Sequence, residues 1–238
     1  MSNKRLSSLI LGISLVSGLS ALGVLLGDAA IRFKEFERTV TVKGLSEREY
    51  PADVVIWPIQ FTAASNNLEE IYSSIDSDTV KIRNFLQEAG IANEEITFSI
   101  PAITDKLAQQ YGSQSNVEFR YTALQNVTVY SENIENVRKV MGKMSDLGKQ
   151  GIAITGDNYQ SQTEYLFTRL NEVKPEMIEE ATRNAREVAE KFATDSKSTL
   201  GKIRTASQGT FTIESRDKNN PHIKNVRVVS TISYYLSD

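Results

Sequence analysis

The residues best suited to chemistry in this 238-residue chain are few, and none stands in a spacing that a particular reaction requires. His222 is the only histidine, so a Ser-His-Asp arrangement has one base available. It lies in Asn219-Asn220-Pro221-His222, a turn-like run just before the last predicted strand, and no G-x-S-x-G elbow occurs. That context reads as a solvent-exposed loop. A Ser-Lys dyad stays open, as it does for any chain with serines and lysines. Carboxylates adjoin at Glu69-Glu70, Glu94-Glu95 and Glu179-Glu180, but acid/base work on a glycoside needs two groups facing one cleft. Neighbours on a helix point about 100° apart, so the helical pairs read as caps and solvated surface.

Metal binding lacks a spaced set of histidines or cysteines, and no D-x-D-x-D-G loop points to calcium. Glycines at 142, 148, 151 and 156 make neither G-x-G-x-x-G nor a phosphate loop. Zero cysteines exclude a disulfide framework, a thiol nucleophile, thiolate zinc and a lipid anchor on an N-terminal cysteine. No catalytic, cofactor-binding or metal residue is therefore assigned, no cofactor is expected, and the chain reads as not an enzyme. A net charge of −3 offers no basic stripe for phosphates, so a nucleic-acid partner is not expected.

The elements that must carry any site begin with a membrane segment. Residues 1–5 form a short basic tail with Lys4 and Arg5, and residues 6–27 run 22 residues without a charge. As a helix that run is about 33 Å long, enough to span a bilayer. It exceeds the apolar core of a cleaved secretory signal, about 7 to 15 residues. An uncleaved signal anchor is favoured, with cleavage after the small residues Asp28-Ala29-Ala30 as the alternative. The tail is placed inside and the domain outside. Residues 28–38 then form a charged connector and residues 39–238 a single folded domain.

Within that domain, Thr39 to Leu45 and Asp53 to Ala63 read as strands, joined by a turn at Gly44 and Ser46 to Tyr50. Val55, Trp57, Ile59, Phe61 and Ala63 alternate with more polar neighbours, and Pro58 argues for an edge or a bulge. Asn66 and Glu69 have the form of a capping box for a helix from Asn67 to Ala89, which Gly90 stops. Strands are expected at Ile96–Ile100, Val117–Tyr130, Gly151–Gln160, Gln162–Leu170, Lys202–Glu214 and Val226–Leu236. A polar loop is expected at Thr104–Asn116, and a second helix at Asn133–Leu147.

The best-specified helix runs from Pro175 to Gly201. Ile178, Ala181, Ala185, Val188 and Phe192 line one face at helical spacing, and Pro175 suits the first helical position. Ala181, Ala185, Ala189 and Ala193 make a row of small side chains that allows close approach. Together these elements predict an α+β fold. Its largely antiparallel sheet or sheets are built from repeated β-α-β units, with three helices packed on one face and an N-terminal transmembrane helix ahead.

Three stretches in this order resemble the SIMPL-domain (YggE-like) family of bacterial envelope proteins. They are Val40-Thr41-Val42-Lys43-Gly44 with Pro51-Ala52-Asp53; Leu124 to Val129 with Gly151-Ile152; and the last helix, from Glu180-Ala181 through Asn184-Ala185-Arg186 and Ala189-Glu190-Lys191 to Leu200-Gly201-Lys202. Ala52 separates Pro51 from Asp53, where the family more often has them adjacent. The resemblance implies a secreted or inner-membrane-anchored periplasmic protein without established enzymatic activity. It also implies homo-oligomers and a link to oxidative or envelope stress. A scaffold is the first expectation; a module that takes a peptide at a sheet edge, near Pro58 or through Thr104–Asn116, is the second; a hydrolase with an unrecognised serine or carboxylate site is the third.

Overall fold

Why the chain opens as it does follows from its longest uncharged run, which becomes helix. The structure is a computed structural model and describes residues 2–35, 38–108, 118–156 and 161–237. Helix α1 (Ser2–Glu35) contains the window Gly12–Ala29, with a mean hydropathy of 1.6 and no part of it buried. It is long and apolar enough to cross a membrane.

The elements that follow are β1 (Thr39–Pro51), β2 (Val54–Ser65), α2 (Leu68–Glu88), β3 (Ile96–Phe98), β4 (Ala102–Asp105) and β5 (Tyr121–Ser131). Then come α3 (Ile134–Met141), α4 (Ser145–Lys149), β6 (Ala153–Thr155), β7 (Glu164–Leu166) and α5 (Leu170–Asp195). The chain closes with β8 (Thr199–Gln208), β9 (Thr212–Ser215) and β10 (Ile223–Ser237). Two compact units result. The first comprises Met1–Glu47, Val173–Thr212 and Arg227–Asp238, the second Arg48–Glu172 and Ile213–Val226.

In the second unit β2 and β5 pair antiparallel from Val55↔Ser131 to Ser65↔Tyr121. Beyond β5 lie β3, opposite Val127 to Val129, and β4, opposite Tyr121 to Leu124. Beyond β2 lie β6, opposite Gln60 to Thr62, and β7, opposite Val54 to Ile56. Taking β3 with β4 and β6 with β7 as two interrupted strands, the connectivity is β-α-β-β-α-β, the split β-α-β arrangement of ferredoxin-like folds. Alternation along β2 sends Val55, Trp57, Ile59 and Phe61 into one core with Ile71, Ile75, Ile82 and Leu86 of α2.

Helix α2 begins where Asn67 accepts a hydrogen bond from the Glu69 amide at 2.9 Å. The cap is therefore Asn67 and not Asn66. Asn66 instead holds the start of the β5 segment, donating to the Glu118 carbonyl (3.2 Å) and accepting from the Arg120 amide (2.9 Å). At the other end Gly90 takes φ +82°, a left-handed conformation that other residues rarely adopt, and Ile91 donates to the Leu86 carbonyl. Ile91 is buried, as its placement after Gly90 predicts.

The helix expected at Asn133–Leu147 is two short ones. Between them Lys143 donates to Val140, Met144 to Met141 and Asp146 to Lys143, so the backbone tightens into three-residue turns at the weak helix former Gly142. The strand expected at Val117–Tyr130 starts at Tyr121; residues 109–117, including most of the Thr104–Asn116 loop, and 157–160 of the Gly151–Gln160 strand lie outside the described residues.

The first unit holds β8 with most of β1 and β10, in the order β1-β10-β8; β9, which also pairs with β10, belongs to the second unit apart from Thr212. The Leu236 amide donates to the Arg38 carbonyl and Thr41 Oγ1 to Ser233 Oγ, so β1 and β10 run antiparallel. Strand β1 does not turn at Gly44; it continues to Pro51. Gly44 is buried against α5, where an added Cβ would overlap the Ala181 carbonyl oxygen and lie 2.5 Å from the Ala185 nitrogen. The glycine serves close approach of strand and helix backbones. Ser46 Oγ donates to Glu180 (2.8 Å) and Asn184 to the Leu45 carbonyl (2.8 Å) along the same contact.

Helix α5 also starts earlier than Pro175, which lies inside it. Its buried residues are Met177, Ala181, Ala185, Ala189 and Ala193, whereas Val188 and Phe192 are 39% and 56% exposed. The alanine row, and not the stripe through Val188 and Phe192, faces the sheet. The closing strand expected at Lys202–Glu214 is divided into β8 and β9.

Candidate functional site

In each of the carboxylate pairs one member is engaged by a contact of its own. Glu70 accepts from Ser65 Oγ (2.6 Å), Glu95 from the Ala92 amide (2.8 Å) and Glu180 from Ser46 Oγ (2.8 Å). None of these pairs converges on a cleft. Among the described residues no group of three His, Cys, Asp or Glu side chains is arranged to hold a metal ion.

His222 belongs to the 216–222 connection between β9 and β10. Its Nε2 lies 3.1 Å from Arg138 Nη1 on α3, its ring meets the Tyr165 ring edge-on at 6.0 Å, and its carbonyl accepts from the Ala52 amide at 2.8 Å. The ring is therefore half-buried rather than free in solvent. An Arg donor on Nε2 requires the neutral ring to carry its proton on Nδ1. Burial, reinforced by Arg138 and Arg216 and opposed by Asp217, holds its pKa below the usual 6.5.

The same hairpin brings together a pair that spacing alone does not single out: Lys224 Nζ donates to Ser215 Oγ at 2.9 Å. Burial lowers the Lys224 pKa, with Glu164 acting in the opposite sense. A serine nucleophile with a lysine base has this contact, and here it joins facing residues of a two-stranded turn. Ser215 is exposed, and neither concavity described below includes it.

One concavity follows from Pro58. Ser99 donates to the Asn126 carbonyl and accepts from the Asn126 amide, so both Asn126 backbone groups turn away from β2. Its partner Gln60 then faces β6, and Pro58, two residues along, faces the same side. There β6 ends at Thr155 and β7 begins at Glu164. Pro58 is thus not on an edge strand. It sits in a central strand, just beyond the last described pair of β2 with β6, Gln60↔Thr155. The cavity beside it, about 260 Å³, is lined by Trp57, Pro58, Met141, Met144 and Ile154, with hydroxyls from Thr155, Ser161 and Thr163. These side chains offer apolar contact and sulfur and no titratable group.

A wider cleft of about 450 Å³ is lined by Ala52, Asp53, Val54, Glu132, Thr168 and Arg169. It holds two carboxylates, but Asp53 is already engaged. Its oxygens accept from the Thr168 amide (2.9 Å), the Arg169 amide (3.1 Å) and Arg169 Nε (3.3 Å). The Asp53 carboxylate thus satisfies backbone donors at the entry to α5, the role of a capping anion. Sequence spacing gave no sign of this, because donor and acceptor are more than a hundred residues apart.

Residues 40–229, more than half of the chain, match the family model SIMPL, described as "Protein of unknown function (DUF541)". No curated protein matches the chain.

Proposed function

Because the chain belongs to the SIMPL family, we propose that it is a non-catalytic envelope protein, tethered to the bacterial inner membrane by its first helix, that self-assembles in the periplasm as a scaffold. A protective role in oxidative or envelope stress is the physiological side of this reading. The observation that carries it is the β1-β10-β8 sheet. Among the described residues, β1 and β8 each pair only with β10, leaving an edge on either side. Every residue of β8 except Leu200 is exposed. Long uncovered edges are templates for another chain, and a contact between unlike edges builds rings or filaments.

Native mass and negative-stain images of the full chain extracted from membranes test the assembly. A multimeric particle is expected, and a strictly monomeric one would sink the proposal. Retention of α1 in the membrane fraction after a carbonate wash tests the tether.

A second reading rests on the cavity beside Pro58: an extended peptide places an apolar side chain between Trp57 and Met141. Crosslinking followed by co-purification separates the two, because a peptide receptor captures a partner other than itself.

A further inference from the structure

The geometry points to a proton-operated latch in which neutral His222 docks the 216–222 hairpin onto α3 and the end of β1, and protonation releases it. Beside the β1–β10 pairing and the Arg216–Glu49 ion pair, His222 adds two bonds to the dock: Nε2 accepts from Arg138, and the carbonyl accepts from Ala52. The first exists only while Nε2 has a lone pair. Once protonated, the ring places a second donor and a second positive charge 3.1 Å from the guanidinium. The contact then changes sign.

The charged groups around the ring leave it no substitute partner. Arg138 comes from α3 and Arg216 from the hairpin itself, and both disfavour an imidazolium. Tyr165, from β7, meets the ring edge-on, and Lys224 on the following strand is occupied by Ser215. Among the described residues the one facing carboxylate is Asp217. Its oxygens already accept from Arg216 Nε (3.0 Å), the Asn219 amide (2.8 Å), the Asn220 amide (2.9 Å) and Asn220 Nδ2 (3.0 Å). Arg216 is also drawn to Glu49 of β1 at 3.5 Å. To pair with Asp217, an imidazolium must dismantle the turn that the carboxylate builds.

The sign follows. The docked ring's pKa lies below 6.5, so in the window between that lowered value and 6.5 the docked form binds fewer protons than the released one. Docking is complete above pH 6.5 and is lost as the pH falls through the window. Release frees Ala52, which lines the wider cleft, so acidification loosens one wall of that cleft.

The test uses the full chain in detergent, labelled with ¹³C at histidine Cε1. One histidine gives one ring signal. The signal is expected to titrate with a midpoint below 6.5. Hydrogen exchange at Ala52 and across 216–223, corrected for intrinsic rate, is expected to be faster at pH 5 than at pH 7.5, by no more than the factor that the measured ring midpoint allows. Arg138→Gln should move the ring midpoint upward. His222→Gln, whose side-chain carbonyl accepts from Arg138 at any pH, should keep the hairpin protected at both values. A midpoint at or above 6.5, equal protection at the two pH values, or a His222→Gln chain that still responds to pH would overturn the latch.

Discussion

Replacing Gly44 by alanine adds one methyl group where β1 meets α5. That carbon would overlap the Ala181 carbonyl oxygen and stand 2.5 Å from the Ala185 nitrogen and 2.9 Å from the Ala185 Cβ. Ordinary contact begins at 3.4 Å, so strand and helix must separate by at least 3.4 − 2.5 = 0.9 Å at the nitrogen, and further at the carbonyl. Two of the three neighbours are backbone atoms, so no side-chain rotation relieves the overlap. Overpacking of a filled site costs about 1–3 kcal/mol. With backbone on the far side the cost belongs at the top of that range, about 3 kcal/mol. For a protein of this size that lowers the melting temperature by roughly 6–12 °C. Urea and thermal melts followed by far-UV circular dichroism on the full chain measure it. Gly148→Ala, where an added Cβ meets nothing within 4 Å, is the matched control. Ala185→Gly should not rescue the variant, because the overlap with the Ala181 carbonyl remains. A Gly44→Ala chain within about 0.5 kcal/mol of wild type, the range of an ordinary surface substitution, would refute the close-approach argument.

Three further outcomes follow from contacts already described. Asp53→Ala removes the acceptor for the Thr168 and Arg169 amides and should cost about 1–2 kcal/mol in urea melts, with Asp53→Asn recovering part of it; equal loss in both would argue against a capping role. Asp217, held down by its bonds to Arg216 and Asn220, has its pKa lowered to about 2. The order it gives the hairpin should therefore be intact above pH 4 and fade as the pH falls toward 2, and a carboxyl ¹³C titration with a midpoint near 4 would contradict it. On α5, Ala189→Leu should destabilise by about 1–3 kcal/mol while Val188→Ala stays within about 0.5 kcal/mol, since Ala189 is buried and Val188 exposed; the reverse order would restore the stripe inferred from spacing.

What the sequence revealed, and what it hid, divides by the range of the interaction. Gly90-Ile91 announces the end of α2, because the left-handed glycine and its apolar follower act within one turn. Asn66 and Asn67 are equally good caps to a local reading, and what separates them is the Glu118 to Arg120 backbone, more than fifty residues away. Gly44 has the same difficulty. Beside Ser46 it reads as a turn, and only α5 shows why it lies in a continuous strand. Val188 and Phe192 drew the apolar face of α5 to the wrong side because large side chains dominate a periodicity, whereas the helix approaches through its smallest. The α+β class, the antiparallel pairing and the membrane-length opening helix were legible because each rests on a repeated local pattern. The contacts of Asp53 and His222 were not, since single polar residues carry no period.

Trp57 has a practical consequence for anyone who unfolds this protein. It is the chain's only tryptophan, it is 5% exposed, and it belongs wholly to the second unit. Excited at the red edge of the indole band, the whole molecule emits from a single position that is blind to the first unit. Circular dichroism, by contrast, sums α1, α2 and α5. Recording both signals on one sample turns a melt into a two-channel measurement. Coincident curves identify one cooperative transition, and separated curves give the order in which the units come apart. Gly44 lies in the silent unit, so its alanine variant is the natural subject: a shift that appears in ellipticity and not in emission would locate the damage without a label.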